Sequence, residues 1–337
     1  MNVTLMDCTL RDGANVVGKG FDAQLTDLML DGLTAAHVPI IEFGNAGGIG
    51  AYEVAGFTAA ETDQTYLDIG RKYVGRGSQL GMFLNAKRYR EKNVPLAKEA
   101  GLSFLRVGAD AGDGDIALQA IRDIKAGGLK AFYSAMKAYL LTPQQLAEEG
   151  KKLRDAGLDE ITIMDSAGTM LPEQVAEYTR CLVQAVDIPV AFHCHNNLGL
   201  SAANAIAAYE NGAAILDCGL MGMARSAGNL ATEIAVAVFD RLGVRTADLN
   251  ALLRFIDEKL APAMEKHNYR APVVPLDLVF GLAGCHSSNT AALREASKEY
   301  GVDIFRLTMA VSAENRKNPS KDLIKQHASK LAAARCL

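Results

Sequence analysis

Eight short β-rich runs alternate with helical patterns along this 337-residue chain, and that rhythm limits its fold more than any other feature. The runs fall at 3–7, 38–43, 80–84, 104–107, 131–136, 160–164, 190–193 and 214–217. Amphipathic stretches lie between them. In 144–156, for example, Leu146, Gly150 and Leu153 recur on one helical face. Pro143 and Pro172 stand where first helical turns should begin, and Gly101, Gly157 and Gly212 stand where helices should stop. Several runs are apolar on both faces, as in strands buried between helices. Eight βα units in about 240 residues predict an α/β fold, a closed (β/α)8 TIM barrel. An open doubly wound sheet would want a G-x-G-x-x-G turn after its first strand, and the chain has Thr9-Leu10-Arg11-Asp12-Gly13 there.

The alternation stops near Val244. Residues 248–266 read as one long helix broken at Pro262, 269–275 as irregular, and 290–300 and 322–334 as helices. The expected division is a barrel over 1–264 and a mostly helical C-terminal domain over 265–337.

Composition removes several function classes. The net charge of −4 and 6% aromatic content argue against a nucleic-acid binder. No apolar run reaches membrane-spanning length, and no basic flank precedes an apolar N-terminal segment. Six cysteines without C-x-x-C spacing read as reduced thiols. A cytoplasmic protein is expected.

In a barrel, chemistry gathers where strands end. Those positions hold Arg11 and Asp12, then Glu42 before a glycine-rich loop, Lys137, Ser166, and His193-Cys194-His195. On an extended segment the two histidines of His-x-His point to one side. With Asp12 as the carboxylate they make a candidate site for a divalent metal with open positions, and solvated or core histidines are the plain alternative. Arg11 beside such a site could stabilise an enolate oxygen, and a salt bridge is its alternative. For Glu42 a direct catalytic part competes with an ion pair inside the rim. The run Lys87-Arg88-Tyr89-Arg90 reads as a solvated helix face.

Asp-x-Thr-Leu-Arg-Asp-Gly at 7–13, His-x-His-Asn-Asn-Leu-Gly-Leu at 193–200 and Ala-Gly-Asn at 227–229 resemble the metal-dependent aldolase and acyl-CoA synthase/lyase superfamily. That group includes isopropylmalate and homocitrate synthases, hydroxymethylglutaryl-CoA lyase and 4-hydroxy-2-oxovalerate aldolase. The aldolase branch is the nearest. It is matched further at Ile41-Glu42, Gly56-Phe57, Asp165-Ser166-Ala167-Gly168, Gly222-Met223, Ala283-Gly284 and Ser287-Ser288. The resemblance implies that Asp12, His193 and His195 bind a divalent ion, Mn2+ first, with Mg2+ or Co2+ as alternatives. Asn229 would also reach it. Pyruvate, as enolate, would chelate that ion, with Arg11 at the enolate oxygen and Ser166 at the carboxylate. The reaction implied is reversible cleavage of a 4-hydroxy-2-oxo acid to pyruvate and an aldehyde. Also implied are homo-oligomers and an acylating aldehyde dehydrogenase docked on the C-terminal domain.

Two positions depart from the aldolase pattern. Its general-base histidine is replaced by Asn15, and a carboxamide takes no proton near neutral pH. Its tyrosine before the Ser-Ser pair is His286. His286 is therefore the expected general base, with Lys137 as the rival or as an anchor for a substrate anion. An acyl-CoA condensing synthase is the alternative activity, although Ala14-Asn15 stands where that branch has Glu-Gln. A metal-binding scaffold without catalysis is the third reading.

Overall fold

The structure, a computed structural model, describes residues 2–53, 59–272, 274–285, 289–315 and 319–334. Eight strands form a closed parallel barrel in sequence order: β1 (Thr4–Asp7), β2 (Ile40–Phe43), β3 (Gln79–Asn85), β4 (Phe104–Asp110), β5 (Lys130–Met136), β6 (Glu160–Asp165), β7 (Val190–Cys194) and β8 (Ile215–Cys218). The ring closes where β1 pairs with β8, with Met6 opposite Asp217. Helices return the chain after each strand: α1 (Ala23–Ala35), α2 (Asp63–Arg71), α3 (Asn93–Glu99), α4 (Leu118–Ala126), α5 (Pro143–Asp155), α6 (Pro172–Ala185), α7 (Ser201–Glu210) and α8 (Thr232–Arg241). This is the TIM barrel that the alternation predicts.

Local chemistry sets the helix starts. Thr142 caps α5 by accepting from the Gln145 N–H, and the Gln145 side chain accepts from the Thr142 N–H. Pro143 then takes the first helical position, where its missing N–H costs nothing.

The interior is layered because side chains at i and i+2 share a face. Near the strand starts the filling is apolar, with Met6, Ile40, Phe104, Phe132, Ala191 and Ile215 in one cluster. Phe104 and Phe132 stack at 4.5 Å between centroids. Two residues further along the strands the filling turns ionic. Arg106 on β4, fully buried, donates to Glu42 on β2 through Nε and NH2, both at 2.7 Å. Its NH1 donates to Asp217 on β8 at 2.6 Å. A buried guanidinium held by two carboxylates is costly to desolvate but geometrically demanding, so it fixes the layer on which the site rests.

The chain divides into two compact units, Met1–Arg270 and Ala271–Leu337. In place of one long helix broken at Pro262, the first ends in α9 (Leu249–Phe255), a π turn over Ile256–Leu260 and α10 (Ala261–Glu265). The wider turn takes up the conflict between Pro262 and the preceding carbonyls, so the helix continues through it. The second unit contains α11 (Pro275–Ala283), α12 (Thr290–Tyr300), α13 (Ile304–Glu314) and α14 (Lys321–Ala333). Helix α13 has no counterpart in the sequence reading, because Ile304, Thr308 and Val311 weaken its helical signal. Its cap was present: Asp303 accepts from the N–H groups of Phe305 and Arg306. No helix among the described residues is long and apolar enough to cross a membrane.

Candidate metal centre and active site

After β1 the chain folds over the Cys8 carbonyl, which accepts from the N–H groups of Arg11 and Asp12 at 3.1 and 2.8 Å. That turn aims Asp12 across the barrel mouth at the end of β7. Its Oδ2 lies 3.7 Å from Nε2 of His193 and 3.7 Å from Nε2 of His195. One ligand atom from each of the three residues falls within 4.8 Å of the others. The histidine rings stand 5.4 Å apart at 70°, so they converge without stacking.

The surroundings prepare these groups as ligands. Burial pushes the Asp12 carboxyl up, but Arg11, His193, His195 and the Asn229 amide outweigh it and hold the group ionised well below the usual carboxylate range. Burial, with His193 and Arg11 adding repulsion, lowers His195 to about 4 despite the pull of Asp12, so its imidazole is neutral at pH 7. Asp217 sits 3.0 Å from Nδ1 of His193. It favours a proton there and leaves Nε2 as the lone-pair donor facing Asp12. A buried carboxylate, one buried imidazole and one partly buried imidazole fit a divalent cation.

A buried amide supports the fit. Asn229 donates from Nδ2 to Asp12 Oδ2 at 2.8 Å, while its Oδ1 is buried without a hydrogen-bond partner. Exchanging the amide's O and N would turn a carbonyl ligand toward the same point. Cys8, His193 and Asp217 form a second close set, but it is no metal site. Arg106 already donates to Cys8 and Asp217 there.

Arg11 is nearly buried and held on three sides. Its Nε donates to Glu42 at 2.6 Å, its NH1 contacts Asp12 at 3.1 Å, and its guanidinium lies 5.0 Å from the Phe83 ring centre. Gly108 on β4 makes room for that ring, since a Cβ there would collide with it. The Arg11 NH2 is left without a partner.

Arg11, Asp12, Asn15, Lys137, Ser166, His193 and His195 line one cavity of about 320 Å3 at the C-terminal ends of the strands. Glu42 does not line it. Both of its oxygens are taken by Arg106 and Arg11 beneath the floor, so it is an ion-pair carboxylate rather than a cavity-facing one. The Asn15 amide donates to the Asp12 backbone carbonyl at 2.9 Å. Lys137 adopts a left-handed conformation (φ 57°), its N–H donating to Ser166 Oγ at 2.9 Å and its ammonium to Asp110 at 2.9 Å. That last bond leads the causes that raise the Lys137 pKa, so the group is a cation rather than a base. His286, Gly56-Phe57 and Ser287-Ser288 lie outside the described residues.

Some of this was not visible in sequence. Arg106 and Asp217 belong to no motif, and the only signal was a charge inside a strand pattern. Arg88 is no part of a solvated helix face. It closes a short turn after β3 and lines the cavity, with NH1 donating to the Gly47 carbonyl at 3.4 Å. Tyr89 turns away to bond Asp123.

A sequence model of the family described as HMGL-like matches residues 2–257. The chain belongs to the HMGL-like family. Over 331 residues it is 33% identical to 4-hydroxy-2-oxovalerate aldolase 2 of Rhodococcus jostii, covering 98% of this chain and 95% of the relative. It is 32% identical to 4-hydroxy-2-oxovalerate aldolase of Moorella thermoacetica, covering 99% and 98%. Among solved structures, it resembles HMG-CoA lyase of Bacillus subtilis at 19% identity and a TM-score of 0.65, covering 81% of this chain and 96% of that one. It also resembles the carboxyl transferase domain of Rhizobium etli pyruvate carboxylase at 17% identity and a TM-score of 0.66, covering 99% and 60%. At these identities the two structures share its fold.

Proposed function

We propose that this HMGL-like protein is a divalent-metal-dependent aldolase that reversibly cleaves a 4-hydroxy-2-oxo acid into pyruvate and an aldehyde. The observation that carries the reading is the convergence of Asp12, His193 and His195 in the cavity that Arg11 also lines. The names of its relatives support it. Asp12, His193, His195 and Asn229 would hold the ion, with Mn2+ as the proposed species. When bound, the ion would supply Lewis acidity at the 2-keto group.

The chain's own residues do the rest. Arg11 brings its positive charge to the negative charge developing on the keto oxygen, and Glu42 holds the guanidinium in place. Ser166 Oγ accepts from the Lys137 N–H, which leaves its O–H to donate to the substrate carboxylate. Cleavage must also take the proton from the 4-hydroxyl and return one to C3 of pyruvate. Asn15 cannot take it, and Lys137 stays protonated. His286 is the proposed proton acceptor, on the chemistry of its imidazole. The free thiols Cys8, Cys181, Cys194, Cys218 and Cys285 fit a reducing, cytoplasmic setting. The resemblance extends the proposal to homo-oligomers and to an acylating aldehyde dehydrogenase docked on Ala271–Leu337.

The test is pyruvate release from 4-hydroxy-2-oxovalerate, followed with lactate dehydrogenase. Metal-loaded protein should turn over, and chelator should stop it. No release with metal, or undiminished release after chelation, would overturn the reading.

A further inference from the structure

The order of strands in the ring gives the cavity a direction. The metal-ligating triad comes from the ends of β1 and β7, which flank β8. In an eight-membered ring the strand facing β8 is β4. The groups around β4 are Asn85 at the end of β3, Arg88 just after it, Asp110 at the end of β4, and Lys137 after β5. Asn85, Arg88 and Lys137 line the same cavity as the triad. A keto acid anchored by the triad and Arg11 that reaches across the ring meets a guanidinium, an ammonium and a carboxamide there.

Charge points the same way. The cavity lining contains the basic side chains Arg11, Arg88, Lys137 and Arg225, and among its described residues the one carboxylate is Asp12. Asp12 is committed to the triad, Arg11 to the keto-acid end, and Lys137 is balanced by Asp110. Arg225 follows β8, on the triad's side of the ring, whereas Arg88 stands on the β4 side with its NH1 donating to the Gly47 carbonyl. A methyl or ethyl terminus there would strip water from Arg88 and give nothing back. A carboxylate would make charge-assisted, paired hydrogen bonds with it.

We propose that the 4-hydroxy-2-oxo acid cleaved here carries a second anion at its far end, bound by Arg88 with Asn85 and Lys137. This rests on the aldolase reading and names its substrate class. In the cleavage the C3–C4 bond breaks and its electron pair stays on C3. The hydroxyl proton leaves O4 and C3 gains one. The products are pyruvate and an aldehyde that bears the anion, with no further reactant.

The experiment runs the reaction in the condensing direction with metal-loaded full-length protein and pyruvate. Succinic semialdehyde is compared with butanal, which matches it in length, and with glyceraldehyde 3-phosphate. The expected kcat/KM for the favoured anionic aldehyde is at least tenfold above butanal. Succinic semialdehyde in front assigns a carboxylate, and the phosphate ester in front assigns a phosphate. R88Q should cut the favoured anion's kcat/KM at least tenfold more than butanal's, and R88K should restore part of it. Butanal equal to or ahead of both anions, or R88Q slowing all three aldehydes alike, overturns the proposal. Exchange of pyruvate methyl protons without any aldehyde separates the two readings. Exchange with no anion preference sinks this proposal alone, and no exchange sinks the aldolase reading with it.

Discussion

His193 holds its Nδ1 3.0 Å from Oδ2 of Asp217, and the same oxygen accepts from Arg106 NH1 at 2.6 Å. One buried carboxylate thus orients the imidazole proposed as a metal ligand and ties it to the ionic layer inside the barrel. Asp217→Asn keeps the shape but gives up the charge. Metal affinity is expected to fall ten- to a hundredfold by titration calorimetry. The melting temperature should fall as well, because Arg106 loses a charged partner.

Gly168 lies under the end of β7 with φ +59°, where a Cβ would sit 2.5 Å from the His195 carbonyl oxygen and 2.6 Å from the Asn197 nitrogen. Backbone cannot move aside as a flexible side chain can. Gly168→Ala is expected to push His195 away from Asp12 and weaken metal binding at least tenfold, while far-UV circular dichroism still shows the barrel. Unchanged affinity would mean that this turn does not set the position of His195.

Glu160 stands at the start of β6, wholly buried, with one oxygen accepting from Thr162 and the other without a partner. Burial, against the pull of Arg106 and the Thr162 hydrogen bond, raises its pKa from 4.5 to about 8. The folded state therefore binds this proton more tightly than the unfolded chain does. Its contribution to stability is complete below about pH 4.5 and is lost as pH rises to about 8. Glu160→Gln mimics the neutral acid. Urea midpoints should show the variant more stable than the parent at pH 8, with the gap closing near pH 5.

His286→Gln tests the proposed proton acceptor. Removal of a general base typically costs two to four orders of magnitude in rate. Pyruvate release from the 4-hydroxy acid should fall by at least about a hundredfold, with metal affinity unchanged. Unaltered turnover would move the proton transfer to another residue.

The barrel was legible because its signal is repetitive, eight strands buried on both faces with helix punctuation between them. His193 and His195 were legible because alternate residues of an extended run share a side, and Asp12 because it stands in a short motif just after β1. Glu42 was noticed, but its burial beneath the floor was not, since a strand-end carboxylate looks the same whether it faces a cavity or an arginine. Arg106 was missed because a lone charge in an apolar run has no local meaning until Glu42, 64 positions away, and Asp217, 111 positions away, are brought to it. Arg88 was misplaced because helical spacing in a basic run resembles a solvent face, while a three-residue turn turns one of its members inward.

Metal-dependent formation of a pyruvate enolate is tested most directly by exchange of pyruvate methyl protons with deuterated water, followed by proton NMR on the purified protein. The methyl signal should decay with bound Mn2+, persist after exhaustive chelation and decay again when the ion is returned. D12N should leave it unexchanged at metal concentrations that saturate the parent. A decay rate indifferent to chelator, or no decay at saturating metal, would contradict the account.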